Sequence, residues 1–73
     1  MRKYAVVFEQ AASNWSAYVP DLPGCVTTGQ TLEETRANIA EAIGFHIDGM
    51  RLHGERVPEP STRTEEIEVK DAA

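Results

Sequence analysis

The sequence predicts a small α+β domain of order βββαβ, with one long helix packed on one face of the sheet. Three observations predict it. Two short runs near the N-terminus alternate apolar with polar residues, a corner rich in proline and glycine separates them from a third, and the apolar positions after Thr31 recur every three or four residues.

Residues 2–8 (RKYAVVF) place Tyr4, Val6 and Phe8 on one face and Ala5 and Val7 on the other, a strand buried mainly on one side. The polar, small-residue stretch 9–14 connects it to a second strand at 15–19, where Trp15, Ala17 and Val19 alternate with Ser16 and Tyr18. These two runs form a hairpin. The corner follows: Pro20 and Pro23 donate no backbone hydrogen bond, Gly24 can take the positive φ of a tight turn, and Asp21 can tighten the turn through its own backbone two residues on. Residues 25–28 (CVTT) then read as a third strand ending at Gly29.

Thr31-Leu-Glu-Glu34 fits a capping box, with Thr31 as N-cap and Glu34 reaching back, so a helix starts there. Leu32, Ile39, Ile43, Ile47 and Met50 form its apolar stripe, which ends near Gly54. Gly44 and Gly49 lie within it; each either admits a second backbone at close range or weakens the helix locally. Away from the stripe, Phe45 and Leu52 share a side with Glu34, Glu41 and Asp48. That pattern reads equally as a partner surface, formed by Phe45, Leu52, Glu41 and Asp48, or as ordinary scattered surface residues. Beyond Pro58 and Pro60, residues 64–69 (TEEIEV) alternate Ile67 and Val69 with charges and predict a fourth strand at a sheet edge. Residues 70–73 are expected to fray, leaving a single domain over 1–73 with its core in about 2–69.

Composition narrows the function. A chain of 73 residues builds a thin core, and one cysteine closes no intrachain disulfide, so self-association or a partner is the expected source of further stability. The formal net charge of −5, with no basic cluster, argues against direct nucleic-acid binding and favours a basic protein partner. No apolar run is long enough to span a membrane and no signal-like block opens the chain, so a cytoplasmic protein is expected.

Candidates for chemistry are few. Asp21, Glu9, Glu33, Glu34 and Glu41 could be imagined around a metal, but acids in a first helical turn favour the helix dipole and Asp21 has a turn role. Cys25 reads as a small buried apolar residue rather than a thiolate, because no cation is near it in sequence. His46 and His53 lack a supporting partner, and with Cys25 they do not complete a zinc set. Trp15 and Tyr18 could stack on bases, yet packing suits them better. No catalytic residue, metal or cofactor is expected.

The strand ending in Tyr18-Val-Pro-Asp-Leu-Pro-Gly-Cys25, the Thr-rich run to Gly29, then Thr31-Leu-Glu-Glu34 and Asn38-Ile-Ala-Glu-Ala-Ile43, together resemble the HicB-like antitoxin family over about residues 3–69. The combination is specific; either half alone is not. The resemblance implies a truncated ribonuclease-H-like fold without catalysis, and a protein that binds and blocks a small basic messenger-RNA-cleaving toxin of the HicA type. Many members carry a C-terminal helix-turn-helix or ribbon-helix-helix segment that binds their operator. This chain ends at Ala73, so DNA binding by it is not expected. The resemblance leaves three readings: a minimal antitoxin forming a homodimer or higher homo-oligomer, an orphan oligomeric module without a toxin, or a residual metal-dependent nuclease.

Overall fold

The computed structural model describes residues 2–71, and three strands and one helix form in the order β1 (Val7–Gln10), β2 (Trp15–Tyr18), β3 (Val26–Gly29) and α1 (Leu32–Leu52). The sheet is antiparallel throughout, in the order β1-β2-β3. Its register puts Phe8 opposite Ala17 and Ala17 opposite Thr27, so these residues share the face that α1 covers. The core is small. Ala17, Val19, Leu22, Cys25 and Ile39 are buried, and Tyr4, Val6, Phe8, Ala42, Ile43, Ile47 and Met50 pack around them.

The first strand is displaced from its expected span. Residues 2–6 form no ladder, while Glu9 and Gln10, expected in the connection, pair with Ser16 and Trp15. The cause lies on the neighbouring strand. Pro20, the next position of β2 whose N–H would face β1, has none, so Val7 opposite Tyr18 is the last pair that β2 offers it. The hairpin loop shrinks to residues 11–14, closed by the Ala11 N–H on the Asn14 carbonyl at 2.8 Å.

Helix α1 starts where its capping residues dictate. Thr31 is extended (φ −129°) and its Oγ1 accepts the Glu34 N–H at 3.0 Å, which satisfies one of the free amides of the first turn. At the other end Gly54 takes φ +71°, letting the Glu55 N–H reach the Met50 carbonyl (2.8 Å) and its own N–H reach that of Arg51 (3.1 Å). This paired closure is a Schellman motif, and a side chain at Gly54 would oppose it.

The fourth strand does not form, and within the described residues the sheet is three-stranded. Residues 61–71 are exposed along their length, with Ile67 74% and Val69 77% accessible. A carboxylate on the β2–β3 corner captures the chain at residues 61 and 62, just before the expected strand. The α+β class holds with one element fewer, and the arm stretches the molecule to 52 × 28 × 19 Å. Residues 72 and 73 of the expected frayed tail lie outside the described residues.

Candidate functional site

The corner at residues 19–25 is built by three backbone hydrogen bonds. The Val19 N–H reaches Cys25, the Leu22 N–H reaches Val19 (3.0 Å) and the Cys25 N–H reaches Leu22 (3.0 Å). Gly24 sits at φ +86°. The tight path drives Leu22 inward until it is fully buried, so the corner is a plug for the core as well as a turn. Sequence reasoning missed Leu22, although a lone leucine between two prolines was the available signal.

Asp21 has a different job from the local one expected. Its Oδ2 accepts the N–H groups of Ser61 (2.8 Å) and Thr62 (3.0 Å), and its Oδ1 accepts their hydroxyls at 3.2 and 2.6 Å. Donation from the Thr62 hydroxyl and the Thr62 and Ser61 amides pulls its pKa from 3.8 down to about 2, so it is ionised at any physiological pH. The physical reason for the change is the missing donor: the residue two on is Pro23, which has no N–H, and the turn is closed by backbone bonds, so the carboxylate takes its donors from a segment 40 residues away. A second pair of contacts fixes the same segment, with the Tyr4 hydroxyl donating to the Pro58 carbonyl at 2.6 Å and Arg2 lying 3.4 Å from Glu59.

Glu41, Phe45, Asp48 and Leu52 all lie exposed on α1 at spacings of four, three and four, which places them on one face of the helix. Phe45 is 68% and Leu52 83% accessible. Beside Phe45 runs an open groove of about 500 Å³ whose walls include Pro23, His46 and Met50. The proline-glycine corner therefore forms one bank of a surface whose other bank is the helix. Across the sheet, Val7, Tyr18 and Val26 stand in one row on the face away from the helix, with Tyr18 and Val26 exposed.

The catalytic candidates are scattered. Among the described residues no three His, Cys, Asp or Glu side chains are placed to hold a metal ion. Asp21 is engaged by Ser61 and Thr62, and Glu33 and Glu34 lie in the first turn of α1. Cys25 is buried, and burial pushes its thiol pKa up, which disfavours the nucleophilic thiolate. The His53 ring nitrogen Nδ1 lies 2.8 Å from the Gly49 carbonyl at the helix end. Trp15 and Tyr18 point to opposite faces, because strand residues three apart differ in parity, so they do not form a common stacking platform. No described helix is long and apolar enough to cross a membrane.

A three-stranded sheet backed by one helix, with an exposed acidic and apolar helix face, defines a small α+β domain. Residues 4–72 match the family described as the HicB-like antitoxin of bacterial toxin-antitoxin systems. The chain belongs to the HicB-like antitoxin family. It is 33% identical over 63 residues to the protein named Antitoxin HicB 2 of Photorhabdus laumondii, covering 86% of this chain and 45% of that one. It is 38% identical over 68 residues to a UPF0150 protein of Thermoplasma acidophilum, covering 92% and 96%. An uncharacterised 14.9 kDa protein of Haemophilus phage HP1 is 42% identical over 55 residues, covering 75% of this chain and 41% of the phage protein. The chain thus spans less than half the length of the phage and Photorhabdus relatives and nearly all of the Thermoplasma one.

Proposed function

We propose that this chain is the antitoxin of a type II toxin-antitoxin pair and that it binds and blocks a small basic messenger-RNA-cleaving toxin of the HicA type. The observation that carries the reading is the α1 face formed by Glu41, Phe45, Asp48 and Leu52, where two exposed apolar side chains alternate with two acids on a chain of net charge −5. The acids speed encounter with a basic partner, and burial of Phe45 and Leu52 sets the lifetime of the complex. Family membership and the named antitoxin among its relatives support this role. The protein acts as a homodimer or higher homo-oligomer in the cytoplasm, without catalysis and without contacting nucleic acid directly.

The test is capture of partners from the host by the tagged chain, followed by titration calorimetry and an RNA-cleavage assay with the captured toxin. Wild type suppresses cleavage, and Phe45→Ser/Leu52→Ser weakens binding at least tenfold while circular dichroism stays unchanged. Binding unaffected by the double substitution refutes this surface. A chain that assembles only with itself and recovers no basic ribonuclease refutes the antitoxin role and leaves an orphan module.

A further inference from the structure

Two features of this chain fit each other, yet the fold keeps them apart. The first is the arm at residues 63–71, exposed throughout and in no ladder, with Glu65, Ile67 and Val69 on one side and Glu66, Glu68 and Lys70 on the other when extended. The second is an open groove of about 430 Å³ between the N-terminal segment and α1. Its apolar surface comes from Tyr4, Ile43 and Ile47, and its charged groups are Arg2, Arg51 and one acid, Asp48. Gly44 leaves the helix bare there, since a Cβ at that position would meet nothing within 4 Å.

We propose that the arm of one copy adds as a strand beside residues 2–6 of a second copy, filling this groove, and that the second copy returns its arm to the first. The proposal rests on the homo-oligomer reading above and names its means. Addition of a strand to a sheet edge gives ladder partners to residues 2–6 and 65–69, which join no ladder within the chain. The other outer strand, β3, is less open, because Asn38 Nδ2 already donates to the Thr28 carbonyl at 3.0 Å.

Charge and pattern select the register. Laid parallel with Glu65 beside Arg2, the arm puts Glu66 beside Lys3, Ile67 beside Tyr4 and Val69 beside Val6. Tyr4, Val6 and Phe8 pack towards the helix, so Ile67 and Val69 enter the groove on that same side. An antiparallel arm with Ile67 beside Tyr4 would set Glu65 beside Val6 and Val69 beside Arg2, leaving one acid-base pair, Glu68 beside Lys3, where the parallel arm has two.

The donor is a second copy because the arm of each chain joins no ladder with the chain's own edge. Glu59 lies at Arg2 and Ser61 and Thr62 are fastened to Asp21 before the arm begins, and beyond that anchor residues 63–70 stay exposed and join no ladder. Reciprocal exchange is self-complementary and closes as a two-fold dimer.

Light scattering coupled to size exclusion tests this on the full chain, with Ile67→Asp/Val69→Asp as the arm variant and Lys3→Glu, Glu66→Lys and their combination as a charge swap. The arm residues are exposed within their own chain, and circular dichroism verifies that the fold persists. Wild type is expected at twice the 8.1 kDa chain mass, the arm variant at one. Each single charge reversal weakens the dimer several-fold and the combination restores it. A wild type monomeric at every concentration overturns the exchange together with self-association. A dimer indifferent to the arm variant, or a charge swap without rescue, overturns the exchange and leaves self-association through another surface.

Discussion

Gly29→Ala adds one methyl group where the fold has no space for it. A Cβ at that position would lie 2.4 Å from Thr35 Oγ1, 2.9 Å from the Thr35 nitrogen and 3.0 Å from its Cα. Gly29 has no positive φ, so the demand is for room rather than for a glycine conformation. Thr35 cannot step aside, because it is fully buried in the first turns of α1 and its hydroxyl donates to the Thr31 carbonyl at 2.7 Å. Overfilling a packed site costs about 1–3 kcal/mol. Breaking the threonine bond adds about 0.5–1.5 kcal/mol. The sum, about 1.5–4.5 kcal/mol, is a large fraction of the roughly 4–11 kcal/mol available to a domain of this length. Urea unfolding followed by the fluorescence of Trp15, the cross-strand neighbour of Gly29, reads the change, with protein concentration held fixed because association shifts the midpoint. Thr35→Ala in the same chain should restore only part of the loss, since it removes the hydroxyl and leaves the backbone atoms at 2.9 and 3.0 Å. A midpoint for Gly29→Ala equal to wild type would show that the strand and helix separate freely at this point and that no close packing holds Gly29 against Thr35.

Three further changes probe different terms. Gly24→Ala should cost about 1 kcal/mol through backbone strain alone, because φ is +86° while the new Cβ would meet only His46 Cε1 at 4.0 Å; an unchanged urea midpoint would contradict this. Gly44→Ala should raise the stability of a monomeric arm variant by up to about 1 kcal/mol through helix propensity, and should fail to do so, or reverse, in the exchanged dimer, where the groove is filled. Folding lowers the Asp21 pKa from 3.8 to about 2, so the unfolded chain binds more protons between those values. The attachment of residues 61 and 62 is therefore complete above pH 3.8 and is lost as the pH falls through 2; the amide shifts of Ser61 and Thr62 in an NMR titration should report that midpoint, and a midpoint near 3.8 would show that the clamp is absent in solution.

What the sequence disclosed depended on whether the cause was local. Thr31 could be read as a helix start because its partner, the Glu34 amide, is three residues away. The hairpin and the corner were legible for the same reason, since alternation, proline and glycine act over a few residues. Strand limits were harder: β1 starts only at Val7, because β2 offers no partner beyond Tyr18, a fact held by Pro20 rather than by Arg2-Lys3-Tyr4. Residues 64–69 have the alternation of a strand but no ladder partner among the described residues, and alternation carries no information on who the partner is. On the helix, the spacing of Glu41, Phe45, Asp48 and Leu52 gave their common exposed face, whereas the groove beside Phe45 needed the fold to bring Pro23 across from the corner. The closeness of Gly29 to Thr35 and the reach of Asp21 to Ser61 were invisible, because neither residue type changes its local pattern when a distant segment docks on it.

The projecting arm also changes how the free chain diffuses. A compact domain of 73 residues has a radius of gyration of about 11 Å. The arm raises this to 14.6 Å and draws the long axis out to 52 Å. Such a chain experiences more drag than its mass warrants and leaves a sizing column early, in the volume where a rounder protein of greater mass would emerge. Folding the arms into an exchanged pair shortens that projection while doubling the mass, so the two species elute closer together than their masses predict.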